Sequence, residues 1–220
     1  INGPEVLISY RINSENAETD PETFIKEVLI GKLGAKIIVA GKEDRNIEVL
    51  RSCADKYGYA IVECDTVVED GEAVTAERIL KELEEGSLAK ANKLLGHPYL
   101  IMGMVMHGKA LGRTVGMPTA NIGFSDYKQL PALGVYGTVS DIDGKRLIGL
   151  TNIGRRPSVD NYSYITIETF LLDFSGDLYD KIITLEVHHF IRGVIKFNNL
   201  AEVKAQVNKD IESIREKLAV

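Results

Sequence analysis

The sequence changes its texture near residue 96, and that change limits the chain to a two-part fold. Before it, short apolar runs alternate with stretches of helical spacing. After it, short apolar runs follow one another, broken by Gly, Pro and Asp. Alternating strand and helix signals call for a parallel sheet covered by helices, whereas serial strands with tight turns call for an antiparallel barrel or sandwich. Charge divides along the same line. Residues 1–99 carry 12 Lys+Arg and 19 Asp+Glu, a net of -7, and residues 100–220 carry 14 and 13, a net of +1. The expected domains are residues 1–95 and 96–220.

In the first part, Val6–Tyr10 reads as a buried strand. Asp20-Pro21 is a helix start, because Asp20 can cap and Pro21 lacks an N–H that would be unpaired there anyway. Phe24, Val28, Leu29 and Leu33 repeat at helical spacing up to Gly34. A strand at 36–40, a helix at 47–56 and a strand at 59–64 complete a βαβ rhythm, and two helices are expected near 76–84 and 88–95. The second part predicts strands at 100–107, 134–141, 146–152, 164–172 and 182–190. Asp143-Gly144 is a hairpin signal between two of them. A helix follows from Asn198 or Asn199 to about Leu218, with Leu200, Val203, Val207, Ile211, Ile214 and Leu218 as its apolar stripe.

Composition removes several function classes. Apolar residues are 45% and charged residues 26%, which argues for a globular chain and against a disordered or fibrous one. A net charge of -6 argues against nonspecific nucleic-acid binding. No apolar run approaches the ~18 residues of a membrane span. Cys53 and Cys64 show no CxxC spacing and no pairing with His, so neither a disulfide framework nor a zinc site is expected, and the chain reads as cytoplasmic. It begins at Ile1, so the natural N-terminus is expected upstream.

Three segments can carry chemistry. Gly108-Lys109-Ala110-Leu111-Gly112-Arg113-Thr114-Val115-Gly116-Met117-Pro118-Thr119-Ala120-Asn121 sets three glycines at four-residue spacing beside two cations. Glycines let backbone N–H groups approach an anion. Thr119 and Asn121 offer hard oxygens to Mg²⁺ or hydrogen bonds to phosphate. A glycine-rich barrel turn with capping Thr and Asn explains the same residues. Glu168 is the one ionisable group in Thr166–Leu172, sharing a face with Thr166, Phe170 and Leu172. It is either a general base or an exposed-face carboxylate. Asn152-Ile153-Gly154-Arg155-Arg156-Pro157 reads as a turn bearing two arginines, and Arg192 either meets an anion or is an ordinary surface cation.

A longer ordered series runs through these segments. It comprises Gly96-His97-Pro98-Tyr99, Gly112–Asn121, Leu130-Pro131-Ala132-Leu133-Gly134-Val135-Tyr136, Asn152–Pro157, Ile167–Phe174, and Phe190-Ile191-Arg192 leading to Phe197. In this order they resemble the riboflavin kinase module of bacterial bifunctional riboflavin kinase/FAD synthetases, over about 120 residues. The resemblance implies a six-stranded antiparallel Greek-key barrel with a C-terminal helix, and ATP- and Mg²⁺-dependent phosphorylation of riboflavin to FMN, with ADP as the other product. It implies that Thr119 and Asn121 hold Mg²⁺ and the ATP phosphates and that Glu168 deprotonates the riboflavin 5′-hydroxyl. It further implies that Gly108, Lys109, Gly112, Arg113 and Gly116 belong to a flap over the nucleotide, with Pro118 and Arg192 as further binding residues. Phe170 stands where the family often has His, and Val194 where it often has Glu.

Residues 1–95 resemble the later part of the family's adenylyltransferase domain, a nucleotidyltransferase-like α/β fold, through Pro21–Ile25, Gly31–Lys36, Glu84-Glu85-Gly86 and Ala91–Gly96. The family's GTFDGxHxGH loop is not in this sequence. After Val39-Ala40-Gly41 the chain runs directly into Lys42-Glu43-Asp44-Arg45, where the family has a Phe- and Gly-rich FMN loop. The family's ISSTxIR segment reads Val74–Leu80, with Leu80 replacing an Arg. The expectation is a kinase that makes no FAD. The alternatives are a flavin- or nucleotide-binding regulatory module without catalysis, and a fragment of a bifunctional enzyme.

Overall fold

The computed structural model describes residues 5–11, 13, 14, 16, 18–108, 116–157 and 163–218. Two compact units divide the chain, Ile1–Ala73 and Val74–Val220.

In the first unit, helix α1 (Pro21–Phe24) begins as its cap predicts, with Asp20 Oδ1 accepting the Thr23 N–H at 3.0 Å. It continues as a π-helical segment, Ile25–Lys32, and the chain turns at Gly34 with φ +64°. Strand β1 (Ile37–Gly41), helix α2 (Ile47–Tyr57) and strand β2 (Ala60–Cys64) form the βαβ unit, with β1 and β2 parallel from Ile37↔Ala60 to Gly41↔Cys64. Ile25, Leu50, Cys53 and Tyr59 make its core, and Ile38, Ala40 and Ile61 pack against them from one face of the strands. Ile37, Val39 and Val62, on the other face, are exposed. Strands β3 (Val68–Glu69) and β4 (Glu72–Ala73) join through Asp70-Gly71, both at positive φ. Val6–Tyr10 forms no strand, contrary to expectation. Val6, Leu7 and Ile8 are exposed and have no ladder partner among the described residues. An apolar run becomes a strand only beside a neighbour.

The second unit opens with helices α3 (Ala76–Glu84) and α4 (Leu88–Leu95). Sequence texture puts the domain boundary after residue 95, but these helices belong structurally with the barrel. Leu83, Leu88 and Ala91 lie in one core with Ile101, Tyr136 and Val187. Asn92 fastens α4 by donating to the Val187 carbonyl at 2.9 Å and accepting the Tyr99 N–H at 2.8 Å.

Six strands then close that barrel: β5 (Tyr99–Met106), β6 (Ala120–Ile122), β7 (Gly134–Ile142), β8 (Lys145–Pro157), β9 (Ser163–Leu171) and β10 (Ile182–Arg192). Their order is β10-β5-β6-β9-β8-β7, antiparallel throughout. The β6–β7 and β9–β10 connections join strands that are not neighbours, as a Greek key requires. Asp143 and Gly144, at φ +52° and +79°, make the two-residue β7–β8 turn. Strand β6 is not among the strands expected from sequence, since three residues show no period. The turn expected at Asn152–Pro157 is instead strand, because β8 pairs with β9 as far as Pro157↔Ser163.

Alternation along each strand builds two layers. Inward residues such as Ile101, Ile153, Ile167 and Leu185 fill the barrel. Outward Val135, Val139 and Leu150 pack under helix α5 (Leu200–Lys217) through Ile214 and Leu218. Asn199 caps α5 by accepting the Glu202 N–H at 2.9 Å, while Leu200, expected in the apolar stripe, is exposed. Two polar devices lie in these cores. Thr138, Thr151 and Thr169, all fully buried, bond in series at 2.8 and 2.9 Å. Gly149 leaves room for them, since a Cβ there would stand 2.6 Å from Thr138 Oγ1. Asp210 of α5, 2% exposed, receives Arg192 at 2.9 Å from Nε and 2.8 Å from Nη2, and Gln206 at 2.8 Å.

Removing one member of a buried ion pair strands its partner's charge. Asp210→Ala should therefore lower the unfolding free energy by about 3 kcal/mol in urea titrations. Thr151→Val breaks the threonine series in the middle and should cost about 1–3 kcal/mol; a loss within error of zero would show that the series contributes nothing to stability.

Candidate active site

Barrel closure sets Asn121, Glu168 and Asn152 in one row. On β9, Ile165, Ile167, Thr169 and Leu171 face inward, so Thr166, Glu168 and Phe170 face outward. Register sets Asn121 of β6 directly opposite Glu168 on one side, and Asn152 of β8 directly opposite on the other. The three side chains stand abreast on the outer surface, with Glu168 half-buried and Asn152 exposed. Thr166 Oγ1 donates to Glu168 Oε1 at 3.5 Å.

Glycines shape the space around both amides. A Cβ on Gly108 would stand 2.2 Å from Asn121 Nδ2, so the Asn121 amide packs where a side chain would otherwise be. A Cβ on Gly154 would stand 3.1 Å from Asn152 Nδ2. Gly116 holds φ +75° just before Pro118. The intervening Lys109, Gly112 and Arg113 lie outside the described residues.

A pocket of about 370 Å³ opens on the inward-facing side of the same strands. Pro118, Thr119 and Ala120 form one wall, Val105, Thr169 and Leu171 the floor, and the Phe174–Tyr179 loop the far side. That loop is held in shape: Asp177 Oδ1 accepts the Tyr179 N–H at 3.0 Å, and His107 stacks on the Tyr179 ring at 3.9 Å and 21°. Sequence reasoning does not single out Thr169, the loop or His107. Ser175-Gly176-Asp177 signals a turn, but nothing in a linear pattern says which strand end that turn faces.

Arg192 is placed differently from the other candidates. It stands three strands from Glu168 around the barrel, about 14 Å at the usual strand spacing. Its guanidinium bonds Asp210 and the Gly193 carbonyl, and it does not line the pocket. In this structure it docks α5. The adjacent His188 and His189 form no metal site; among the described residues no group of three or more His, Cys, Asp or Glu could hold a metal ion. A cation bound here would rest on neutral oxygens and on its own phosphate ligands. Mg²⁺ accepts that arrangement, since it keeps few protein ligands and binds phosphates. The Thr119 hydroxyl, in the pocket lining, and the Asn121 amide, packed against Gly108, have the chemistry for it.

Glu168 offers a carboxylate that can accept a proton, and Thr119 and Asn121 offer hard oxygens, the kinds of group that phosphoryl transfer uses. Comparison with known proteins gives the family. The riboflavin kinase (flavokinase) family model matches residues 95–218. The bifunctional riboflavin kinase/FMN adenylyltransferase of Escherichia coli strain K12 is 33% identical over 222 residues, covering 97% of this chain and 70% of the relative. The protein of the same description from Haemophilus influenzae is 31% identical, covering 96% and 70%. A solved structure from Streptococcus pneumoniae, described as a macrolide-efflux protein, superposes with a TM-score of 0.74 at 28% identity, covering 92% of this chain and 67% of that one. No described helix here is long and apolar enough to cross a membrane. By its matched residues and its relatives, the chain belongs to the riboflavin kinase family, among members that join this kinase to an FMN adenylyltransferase.

Proposed function

We propose that this riboflavin kinase carries out phosphoryl transfer at the Asn121–Glu168–Asn152 row, with ATP in the adjoining pocket. The observation that carries the reading is the register that sets Glu168 opposite Asn121, one residue from the pocket wall at Ala120 and Thr169. Glu168 accepts the proton of the riboflavin 5′-hydroxyl as that oxygen bonds to the γ-phosphorus. The bond from phosphorus to the bridging oxygen breaks, ADP leaves, and FMN remains. Thr119 and Asn121 would hold Mg²⁺ and phosphate oxygens, and the metal would neutralise charge on the transferred group. The Phe174–Tyr179 loop, braced by His107, encloses the nucleotide and excludes water from it. Arg192 acts at a distance by keeping α5 on the barrel.

We further propose that the chain makes FMN but no FAD, in the cytoplasm, and that its first unit is a part of a nucleotidyltransferase-like fold. The parallel β1–α2–β2 unit supports the fold. The direct passage from β1 into Lys42-Glu43-Asp44-Arg45 and the replacement at Leu80 support the loss. Leu80 sits on α3, in the barrel's unit.

Glu168→Gln should lower kcat by about 10²–10⁴-fold while leaving the KM for ATP within a factor of two. Wild-type kcat in that variant would remove Glu168 as the base. Asn121→Ala should raise the Mg²⁺ concentration needed for half-maximal rate. Incubation with riboflavin, ATP and Mg²⁺ should yield FMN as the sole flavin product by chromatography. FAD in the product would overturn the assignment of the first unit, and bound riboflavin with no FMN would favour a binding module.

A further inference from the structure

We propose that Thr166 is a positioning residue for phosphoryl transfer: its hydroxyl turns the Glu168 carboxylate along β9 and leaves Oε2 as the oxygen that takes the proton. The inference rests on the reading of Glu168 as the base. Three observations carry it. Thr166 Oγ1 donates to Glu168 Oε1 at 3.5 Å, and the two residues, two apart on one strand, stand on the same outward face. The other neighbour of Glu168 on that face is Phe170, which has no proton to give and packs into the layer under α5. The flanking strands leave room for the tilt toward Thr166. Gly154 of β8 lies directly opposite Thr166 and has no side chain, and the Asn152 amide runs the same way, with Nδ2 3.1 Å from where a Cβ on Gly154 would stand. On the β6 side the Asn121 amide packs against Gly108 instead.

The chemistry gives this contact a task. A glutamate side chain has several rotatable bonds, and holding it in one pose costs rotamer freedom. A general base must nevertheless lie within hydrogen-bond reach of the proton it takes. Thr166 can supply that order, because its branched Cβ restricts χ1 and so aims the hydroxyl. A proton donated to Oε1 occupies that oxygen and leaves the lone pairs of Oε2 for the substrate. As the 5′-hydroxyl oxygen bonds to phosphorus, its proton passes to Oε2, and the Thr166 proton stays on Oγ1. A separation of 3.5 Å is long for a hydroxyl donor. Thr166 therefore steers the carboxylate rather than clamping it, and its loss should show in kcat and not in the binding of ATP.

The test is turnover of riboflavin with ATP and Mg²⁺ by variants of the whole chain. Thr166→Val, which keeps the shape and removes the hydroxyl, should lower kcat about five- to tenfold, with the KM for ATP within a factor of about two. Thr166→Ser, which restores a donor, should recover at least about half of the wild-type kcat. In a Glu168→Gln background, Thr166→Val should change the residual rate by less than about twofold, because a residue that acts through Glu168 then has nothing left to position. Thr166→Ala, which also removes the hydroxyl, serves for the same comparison should the valine variant not fold. Wild-type kcat in Thr166→Val, no recovery in Thr166→Ser, or the full loss repeated in the Glu168→Gln background overturns the proposal. Glu168→Gln alone separates the two readings. If it loses turnover while Thr166→Val keeps it, only the positioning role falls. If it keeps wild-type kcat, the base assignment falls and the positioning role falls with it.

Discussion

The structure of the second unit depends on one short seam. Five of the six barrel strands are 8 residues or longer, and the sixth, β6, has three. It nevertheless joins β5 to β9, through Val105↔Ile122 and Met106↔Asn121 on one side and Ala120↔Thr169 and Asn121↔Glu168 on the other. Without those pairs β5 and β9 would each present an unpaired ladder, and an open five-stranded sheet would expose its inward face to water. Asn121 takes part in both seams. Closing the barrel and assembling the site are therefore one event, and the residue between Ala120 and Ile122 answers to both ladder geometry and ligand chemistry.

The closed barrel explains how two cores coexist in so small a unit. The inward layer is apolar except for Ser140 and the threonine series, which satisfies its hydroxyls internally. The outward layer is buried only where α5 covers it, and the Arg192–Asp210 pair holds that cover in place. Away from α5 the outer surface turns polar along Asn121, Glu168 and Asn152. The division follows from the alternation of strand residues, with α5 deciding which outward residues become core.

The same physics decides which parts of the molecule are legible in its sequence. Helices announce themselves by caps and period, and α2, α3, α4 and α5 fall within a residue or two of their expected bounds. The Asp143-Gly144 turn needs only two residues in the left-handed region, which is local information. Glu168 stands out because a charge in an apolar strand is conspicuous wherever that strand goes. Its neighbours do not. That Asn121 and Asn152 flank it depends on strand order and register, and the β6–β7 crossover separates them by thirty residues. Arg192 misleads for the converse reason, because its partner Asp210 lies in a helix 18 residues away and a lone cation looks like a ligand-binding one. Val6–Tyr10 has the composition of a strand but no neighbour to make it one.

The two units also differ in how they meet other copies of themselves. Every barrel strand has a partner on both sides. Strands β1 and β2 have only each other among the described residues, and Ile37, Val39 and Val62 stand exposed on one face of the pair. Parallel sheets are ordinarily covered on both faces, and an open apolar edge is a template for aggregation. A charge on that face, as in Val39→Lys, should disfavour association through these strands without altering any residue of the kinase barrel.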